Sequence, residues 1–381
     1  MMALLLSLSL LFLLAAIYPF LLYPLSLVAI REFRFQHVRA DTLISARPNF
    51  TLCFCAYNEE RVIDEKLENL QRLKDATPDL EILAYVDAAT DRTAERILKY
   101  PDLVKCYVSS ERHGKTYGMN KLVETATGDI IVFTDANVMV DPEALLNLGR
   151  YFVDSTVGCV AGHLTYVNPD ASVTASNGSL YWRLEEWIKK LEAETGSGLM
   201  ADGSLFAIRR SLHRPVPDDV IDDMYVSLNI LCDGYRIISA PDVRAYEASV
   251  TLSNEEFQRK IRIACQAFNV HRLLWPRIRR LDSLTLYKYI SHKFLRWFSF
   301  YNLVLGYMFF EATLLTERQF FLSVLIMVAS ALGSYAGSRW KVPVLSQIVD
   351  LLSALMGAGI GVWKSQRGER FQTWTLAKSI R

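Results

Sequence analysis

The chain has 381 residues, enough for a sizeable core plus a second structural region. Its formal net charge is only +1, which excludes bulk electrostatic binding to nucleic acid. Hydrophobic residues make up 51% while charged residues still reach 22%, and mean hydropathy is +0.15. The apolar excess gathers at the two ends, as in a membrane protein with a soluble insert.

Residues 3–30 are almost wholly apolar, longer than the ~20 residues that cross a bilayer, with Pro19 and Pro24 as the obvious helix disturbers. No basic residue precedes the run and no small-x-small cleavage site follows it. It therefore reads as a retained transmembrane anchor over residues 1–30 rather than a signal peptide. Arg31, Arg34 and Arg39 follow at once, which directs the next segment to the cytoplasm. The six cysteines lack zinc-ligand spacing, and Cys53 and Cys55 alternate along one strand-like run, so free thiols in a reducing cytosol are expected.

Residues 48–252 read as an α/β domain. Strand-like runs at Phe50–Ala56, Leu80–Val86, Leu103–Val108 and Ile130–Thr134 alternate with helical patterns at Glu59–Lys74, Asp91–Tyr100 and Lys115–Thr127. That alternation predicts a mostly parallel sheet with helices on both faces and a ligand crevice at the carboxyl ends of the strands. Residues 253–293 are rich in Lys and Arg, with Trp275 and Tyr287, and read as amphipathic helices in a membrane interface. Three apolar stretches, about 294–314, 320–338 and 345–363, form a C-terminal membrane region of two or three spans. Three full spans would carry Lys364, Arg367, Arg370, Lys378 and Arg381 of the basic tail, 364–381, outside. The positive-inside bias opposes that, so one stretch is expected to lie in the plane or re-enter.

The chemistry-bearing residues sit where the strands end. The first strand ends in Ala56-Tyr57-Asn58-Glu59-Glu60, where Glu59 and Glu60 suit a helix start. The second ends in Asp87-Ala88-Ala89-Thr90-Asp91. A carboxylate at that tip suits the N–H of a nucleobase edge, and equally a solvated loop. His113-Gly114-Lys115 opens a helix, where glycine admits close backbone approach and a helix start favours phosphate, without the spacing of a Walker A loop. The fourth strand ends in Asp135-Ala136-Asn137, with two oxygen ligands pointing one way, a pattern that suits Mg²⁺ or Mn²⁺ bridging a diphosphate. Its plainer alternative is a turn in which either side chain bonds local backbone. Downstream, Asp202-Gly203 precedes an apolar strand and Asp222-Asp223 opens a helix. Paired acids there suit capping, a general base or a glycoside hydrolase. Tyr181, Trp182 and Trp187 lie at helical spacing, which favours core packing over sugar stacking.

In this order the motifs resemble glycosyltransferase family 2, inverting enzymes of GT-A fold that include membrane polysaccharide synthases. The resemblance covers roughly residues 48–265, and the flanking helices fit the same group. It implies that Ala56, Tyr57, Glu59 and Asp87 hold the nucleoside and Lys115 lies near the diphosphate. Asp135 and Asn137 occupy the metal motif, and Asp202 and Gly203 border the acceptor. Asp223 is the catalytic base, supported by Asp222. Two departures stand out. The metal motif has a neutral Asn137 in its second ligand position. The Gln-x-x-Arg-Trp pattern of processive synthases reads here Arg259-Lys260-Ile261-Arg262-Ile263, which keeps Arg262 for the diphosphate but lacks the stacking tryptophan. What the resemblance implies is transfer of one sugar, from a uridine diphosphate donor to a lipid-linked or saccharide acceptor. The place is the cytoplasmic face of the plasma membrane, in contact with membrane lipids and with other polysaccharide-synthesis subunits as candidate partners.

Overall fold

The computed structural model describes residues 1–34, 48–167, 173–248, 253–340 and 342–372, with side chains at 34, 173–182 and 253–256 excepted. Arg39, Lys378, Arg381 and the Tyr181 and Trp182 side chains, all named above, lie outside what is described. The strands are β1 (Phe50–Ala56), β2 (Glu81–Asp87), β3 (Lys105–Ser109), β4 (Ile130–Asp135), β5 (Val138–Val140), β6 (Val157–Val167), β7 (Leu205–Arg209) and β8 (Arg236–Ala248). The helices around them are α3 (Ile63–Ala76), α4 (Thr93–Leu98), α5 (Lys115–Thr125), α6 (Ala144–Tyr151), α7 (Val173–Glu194) and α8 (Asp222–Cys232). Before them come α1 (Met2–Ile17) and α2 (Leu22–Arg34). After them come α9 (Ser253–Ile278), α10 (Ser283–Tyr289), α11 (Leu295–Thr316), α12 (Phe320–Arg339) and α13 (Pro343–Gln366).

One sheet runs β3-β2-β1-β4-β7-β6-β8-β5. The first four strands are parallel, as the strand–helix alternation predicts. Beyond β4 the sheet is mixed: β7 is antiparallel to β4 and to β6, β8 is parallel to β6, and β5 is antiparallel to β8. Both faces are covered, so the strands are apolar on both sides. Along β1, Phe50, Leu52, Phe54 and Ala56 enter one core, while Cys53 and Cys55 enter the other. All six cysteines are unpaired.

Glu59 and Glu60 do not open a helix. They lie in a turn, and α3 begins at Ile63 with Asp64 and Glu65 in its first turn. The turn starts at Asn58, whose φ of 53° takes the backbone out of the helical path. The apolar N-terminus is likewise not one straight rod. It breaks between α1 and α2 with a bend of 62°, at the point where Pro19 removes a backbone donor. α1 lies along α11, with Ser9 Oγ bonded to the Gly306 carbonyl and Phe12 stacked on Phe309. α2 packs on α7 through Tyr23, Leu27, Ile188 and Leu191.

In the basic stretch 253–293, expected to lie in a membrane interface, and just after it, several charged side chains are taken up by the protein itself. Lys288 is buried and donates to the carbonyls of Glu192, Thr195 and Ser197, and Tyr287 bonds Ser26 and Tyr18. Arg277 pairs with Asp233, and Lys293 and Arg296 pair with Glu185. α9 is a packed helix with Ile261, Ala264, Cys265, Ala267 and Phe268 buried; its last turns expose Leu273, Trp275, Arg279 and Arg280. Trp187, assigned by its spacing to a core, is 41% exposed on α7.

Among the described residues three helices are long and apolar enough to cross a membrane, Ser283–Thr316, Phe320–Arg339 and Pro343–Gln366, and the bent pair α1 and α2 makes a fourth if it is counted as one span. The start of α11 is tied to the α/β unit by Arg296 and Glu185. The end of α13 and the residues after it return to α9 and to that unit: Ser365 Oγ donates to Asn269 Oδ1 and Gln266 to the Phe371 carbonyl on the α9 side, and Arg370 pairs with Asp219 of the α/β unit.

Candidate active site

The ends of β1 and β2 are tied together by their loops. Thr90 N–H donates to Asn58 Oδ1 at 2.7 Å, Glu60 N–H to Asp91 Oδ2 at 3.0 Å, and Glu59 N–H to Thr93 Oγ1 at 2.7 Å. Both strand tips carry a left-handed non-glycine residue, Asn58 and Ala88, each with φ of 53°, and such strain is kept where surrounding contacts over-determine it. Asp87 is fully buried, and its carboxylate accepts from His113 N–H at 2.8 Å, Gly114 N–H at 3.0 Å and Arg112 Nε at 3.1 Å. It thereby anchors the loop that leads into α5. The Arg112 guanidinium also lies 3.4 Å from the centre of the Tyr57 ring, so Tyr57 and Asp87 meet through Arg112. Ala56 is buried in β1, and Glu59 is buried in the turn beyond it.

Gly114 precedes α5 with φ of 97°, and the Gln372 carbonyl fills the space that a Cβ would need. Lys115 follows at the helix start. Its Nζ lies 2.8 Å from Asp135 Oδ1 at the tip of β4 and 3.5 Å from Asp222 Oδ2 at the start of α8. Burial works against this ammonium, but Asp135 and Asp222 together outweigh it and hold it charged well above the usual lysine range. Asn120 of α5 fixes the loop before α8 through Val216, donating to its carbonyl at 2.7 Å and accepting from its N–H at 3.0 Å.

Asp222 and Asp223 are adjacent but differently placed. Asp222 faces Lys115. Asp223 accepts from its neighbour Met224 N–H at 2.6 Å and packs on Gly203, where a Cβ would stand 3.0 Å from Asp223 Oδ2. Ser227 of α8 holds Ala201 N–H at 3.0 Å, which brings the Asp202-Gly203 turn to this helix. Burial, with the charges of Asp222 and Asp202 adding and Lys115 opposing, pushes the Asp223 carboxyl up to about 7. Asp202 goes the other way. Burial raises it, but Lys189 at 3.7 Å and the bonds from Ser204 outweigh that and hold it below the usual range.

Asn137 follows the β4 tip, and its Nδ2 donates to Glu247 Oε1 at 2.9 Å. Glu247 is buried at the end of β8 and pushed up to about 7 by burial, with Asp135 adding and Arg259 opposing. Arg262 is half-buried, and burial followed by Arg259 lowers it to about 10; the α9 charge that acts on Asp202 and Glu247 is that of Arg259. Sequence reasoning missed Glu247, Arg112 and Arg259 as site residues. Glu247 left a signal: it continues the alternation Val243, Ala245, 247 on a buried strand face, where an acid is out of pattern.

A mixed sheet covered by helices, with a lysine at a helix start and hard oxygen donors gathered at its strand ends, is the arrangement of a GT-A-type fold. A mannosyltransferase from Pyrobaculum calidifontis, solved in complex with GDP-Man and Mn²⁺, superposes with a TM-score of 0.74 over 96% of this chain and 99% of that one, at 22% identity. The pattern described as Glycosyl transferase family 2 matches residues 51–216. A poly-beta-1,6-N-acetyl-D-glucosamine synthase of Staphylococcus aureus is 26% identical over 220 residues, 55% of this chain and 53% of that protein. A beta-monoglucosyldiacylglycerol synthase of Nostoc is 25% identical over 171 residues, 43% of this chain and 36% of that protein. The chain spans about half the length, or less, of these curated relatives. Over residues 51–216 the chain is similar to glycosyltransferase family 2.

Proposed function

We propose that the chain is an inverting, metal-dependent glycosyltransferase that moves a sugar from a nucleotide diphosphate sugar to a lipid-linked or saccharide acceptor at the cytoplasmic membrane face. Uridine diphosphate is the proposed leaving group, and one sugar is added per acceptor. The observation that carries this reading is Lys115, held between Asp135 and Asp222, with Asp223 beside it on Gly203. The proposed diphosphate-binding lysine and the proposed base would thus share one cluster of charged side chains. Ala56, Tyr57, Glu59 and Asp87 would hold the nucleoside, the last also through the Arg112 loop that it anchors. Asp202 and Gly203 would border the acceptor.

The donor set fits a hard divalent cation: the Asp135 carboxylate and the Asn137 carbonyl are oxygen ligands, with no thiol or imidazole between them. Among the described residues no three His, Cys, Asp or Glu side chains stand close enough to hold an ion by themselves, so the remaining ligands would come from the diphosphate. Bound Mg²⁺ or Mn²⁺ would supply charge neutralisation of the leaving diphosphate.

The proposed steps assign each residue one role. Asp223, ionised, takes the proton of an acceptor hydroxyl as that oxygen bonds to the anomeric carbon. The bond from that carbon to the diphosphate oxygen breaks, its electron pair leaves on the nucleotide diphosphate, and configuration inverts. Lys115, with Arg262 as a second cation, meets the developing charge on the diphosphate. The test is mass analysis of products made by detergent-purified protein from a panel of uridine and guanosine diphosphate sugars with membrane lipid extract. A lipid or saccharide carrying one added sugar is expected. Long polymer from this single polypeptide would make it a processive synthase, and turnover with no donor alongside specific partner binding would make it a non-catalytic subunit of a polysaccharide complex.

A further inference from the structure

The end of β4 offers a diphosphate-bound cation one carboxylate, Asp135, and one neutral amide, Asn137. Oxygen sites for Mg²⁺ or Mn²⁺ gain affinity from ligand charge, so the amide is a deficit. Asn137 does not stand alone, however. β5 begins at the next residue and is registered antiparallel to β8, with Val138 opposite Glu247. That register sets Glu247 beside the amide, and Glu247 Oε1 accepts Asn137 Nδ2 at 2.9 Å. In its ionised form, which a neighbouring cation favours, this carboxylate only accepts hydrogen bonds, so it selects the nitrogen prong of the amide and turns Oδ1, the metal-competent prong, the other way. The fold does not ask for an acid here. Val243 and Ala245 precede it on the same strand face and are fully buried and apolar, and burying a carboxylate costs free energy that an apolar side chain at 247 would not.

Resting on the metal–diphosphate reading above, we infer that Glu247 is the positioning residue of the metal site: it fixes Asn137 with its carbonyl oxygen toward the cation and supplies from behind the negative charge that the amide lacks. Asn137 and Glu247 together act as an acid–amide pair with the acid placed one strand away. Outer partners that orient ligands typically carry 10–100-fold of metal affinity.

The test is Mn²⁺ binding to the full-length protein in detergent, with UDP or GDP present, followed by the electron paramagnetic resonance of free Mn²⁺, with a melting temperature for every variant. Glu247→Gln is expected to weaken Mn²⁺ by about 10–100-fold. In the exchanged double variant Asn137→Asp/Glu247→Gln the glutamine amide donates to the new carboxylate. Charge and hydrogen bond are both conserved, and most of the Mn²⁺ affinity is expected to return. A purely structural Glu247 would lower the melting temperature of Glu247→Gln and leave its Mn²⁺ affinity unchanged, which overturns the inference. If the wild type itself binds no Mn²⁺ with either nucleotide, it is the metal–diphosphate reading that falls, and the inference with it.

Discussion

Asp222 and Asp223 are neighbours with opposite surroundings, and surroundings divide labour between paired carboxylates. Asp222 lies against Lys115, whereas half-buried Asp223 is crowded by burial and by the charges of Asp222 and Asp202 and is pushed up to about 7, which suits a general base. A base works in its ionised form, so the rate is expected to fall as pH drops below about 7 and to hold above it, read from the pH profile of nucleotide release. Stability responds in the opposite sense. A carboxyl raised from 3.8 to about 7 favours the folded state while protonated and loses that contribution as pH rises through this window, by at most about 4 kcal/mol. Asp223→Asn is therefore expected to melt above the wild type at pH 8, with the difference closing toward pH 4; equal melting at pH 8 would contradict the burial argument. Gly203→Ala is expected to push on Asp223 and lower kcat by about 100-fold with donor affinity unchanged, separable by steady-state kinetics against donor titration. The acidic positions of the site were legible in the sequence because each ends a strand or opens a helix. Glu247 and Arg112 were not, because one acts across a strand pair distant in sequence and the other through a ring and a carboxylate that only folding brings together.

At the scale of elements, the site is held by backbone satisfied from afar. β5, which follows the metal motif, is pinned from α3: Asn69 donates to the Val140 carbonyl at 2.7 Å and accepts its N–H at 2.9 Å, while buried Lys66 donates to the Val138 carbonyl at 2.5 Å. Asn69→Ala leaves two buried backbone groups without these partners, at about 1–3 kcal/mol each, and a clear fall in melting temperature is expected. The same variant should loosen Asn137 and weaken Mn²⁺ with nucleotide; unchanged melting would contradict the pinning. The four parallel strands were legible because apolar runs alternate with helical periods and short loops. The antiparallel β7 and the long pair β6 and β8 were not, since a run buried on both faces carries no sign of its direction. Nor did the period of α9 distinguish a bilayer from the protein it packs against, and both bury the same stripe.

For the whole molecule, the two ends of the C-terminal helical unit decide its path. α11 leaves the α/β unit at Arg296, and 22 residues carry it about 33 Å away. α13 ends against α9 at Ser365, the residues just beyond it reach the α/β unit through Arg370 and Asp219, and its start lies about 36 Å before its end. Gly337 near the end of α12 packs on Leu345 at the start of α13, so α12 both begins and ends on the side far from the α/β unit. Such a path would fit two crossings, by α11 and α13, with α12 in the membrane plane, although α12 is itself long and apolar enough to span. That satisfies the positive-inside bias, because it brings the Lys364–Arg370 end of the chain to the side of the α/β unit. Single cysteines introduced at Arg318 and at Trp340 are both expected to react with an impermeant maleimide added outside intact cells. Reaction at Arg318 alone would mean that α12 crosses.

The most direct test of the account is nucleotide diphosphate release from the active donor by purified wild-type and Asp223→Asn protein, with Mn²⁺ present and with Mn²⁺ removed by chelation. Asp223 as general base at a metal–diphosphate site predicts release in the wild type that needs Mn²⁺, and a loss of about 10²–10⁴-fold in the variant while donor binding persists. Release that ignores both the cation and the substitution would contradict it.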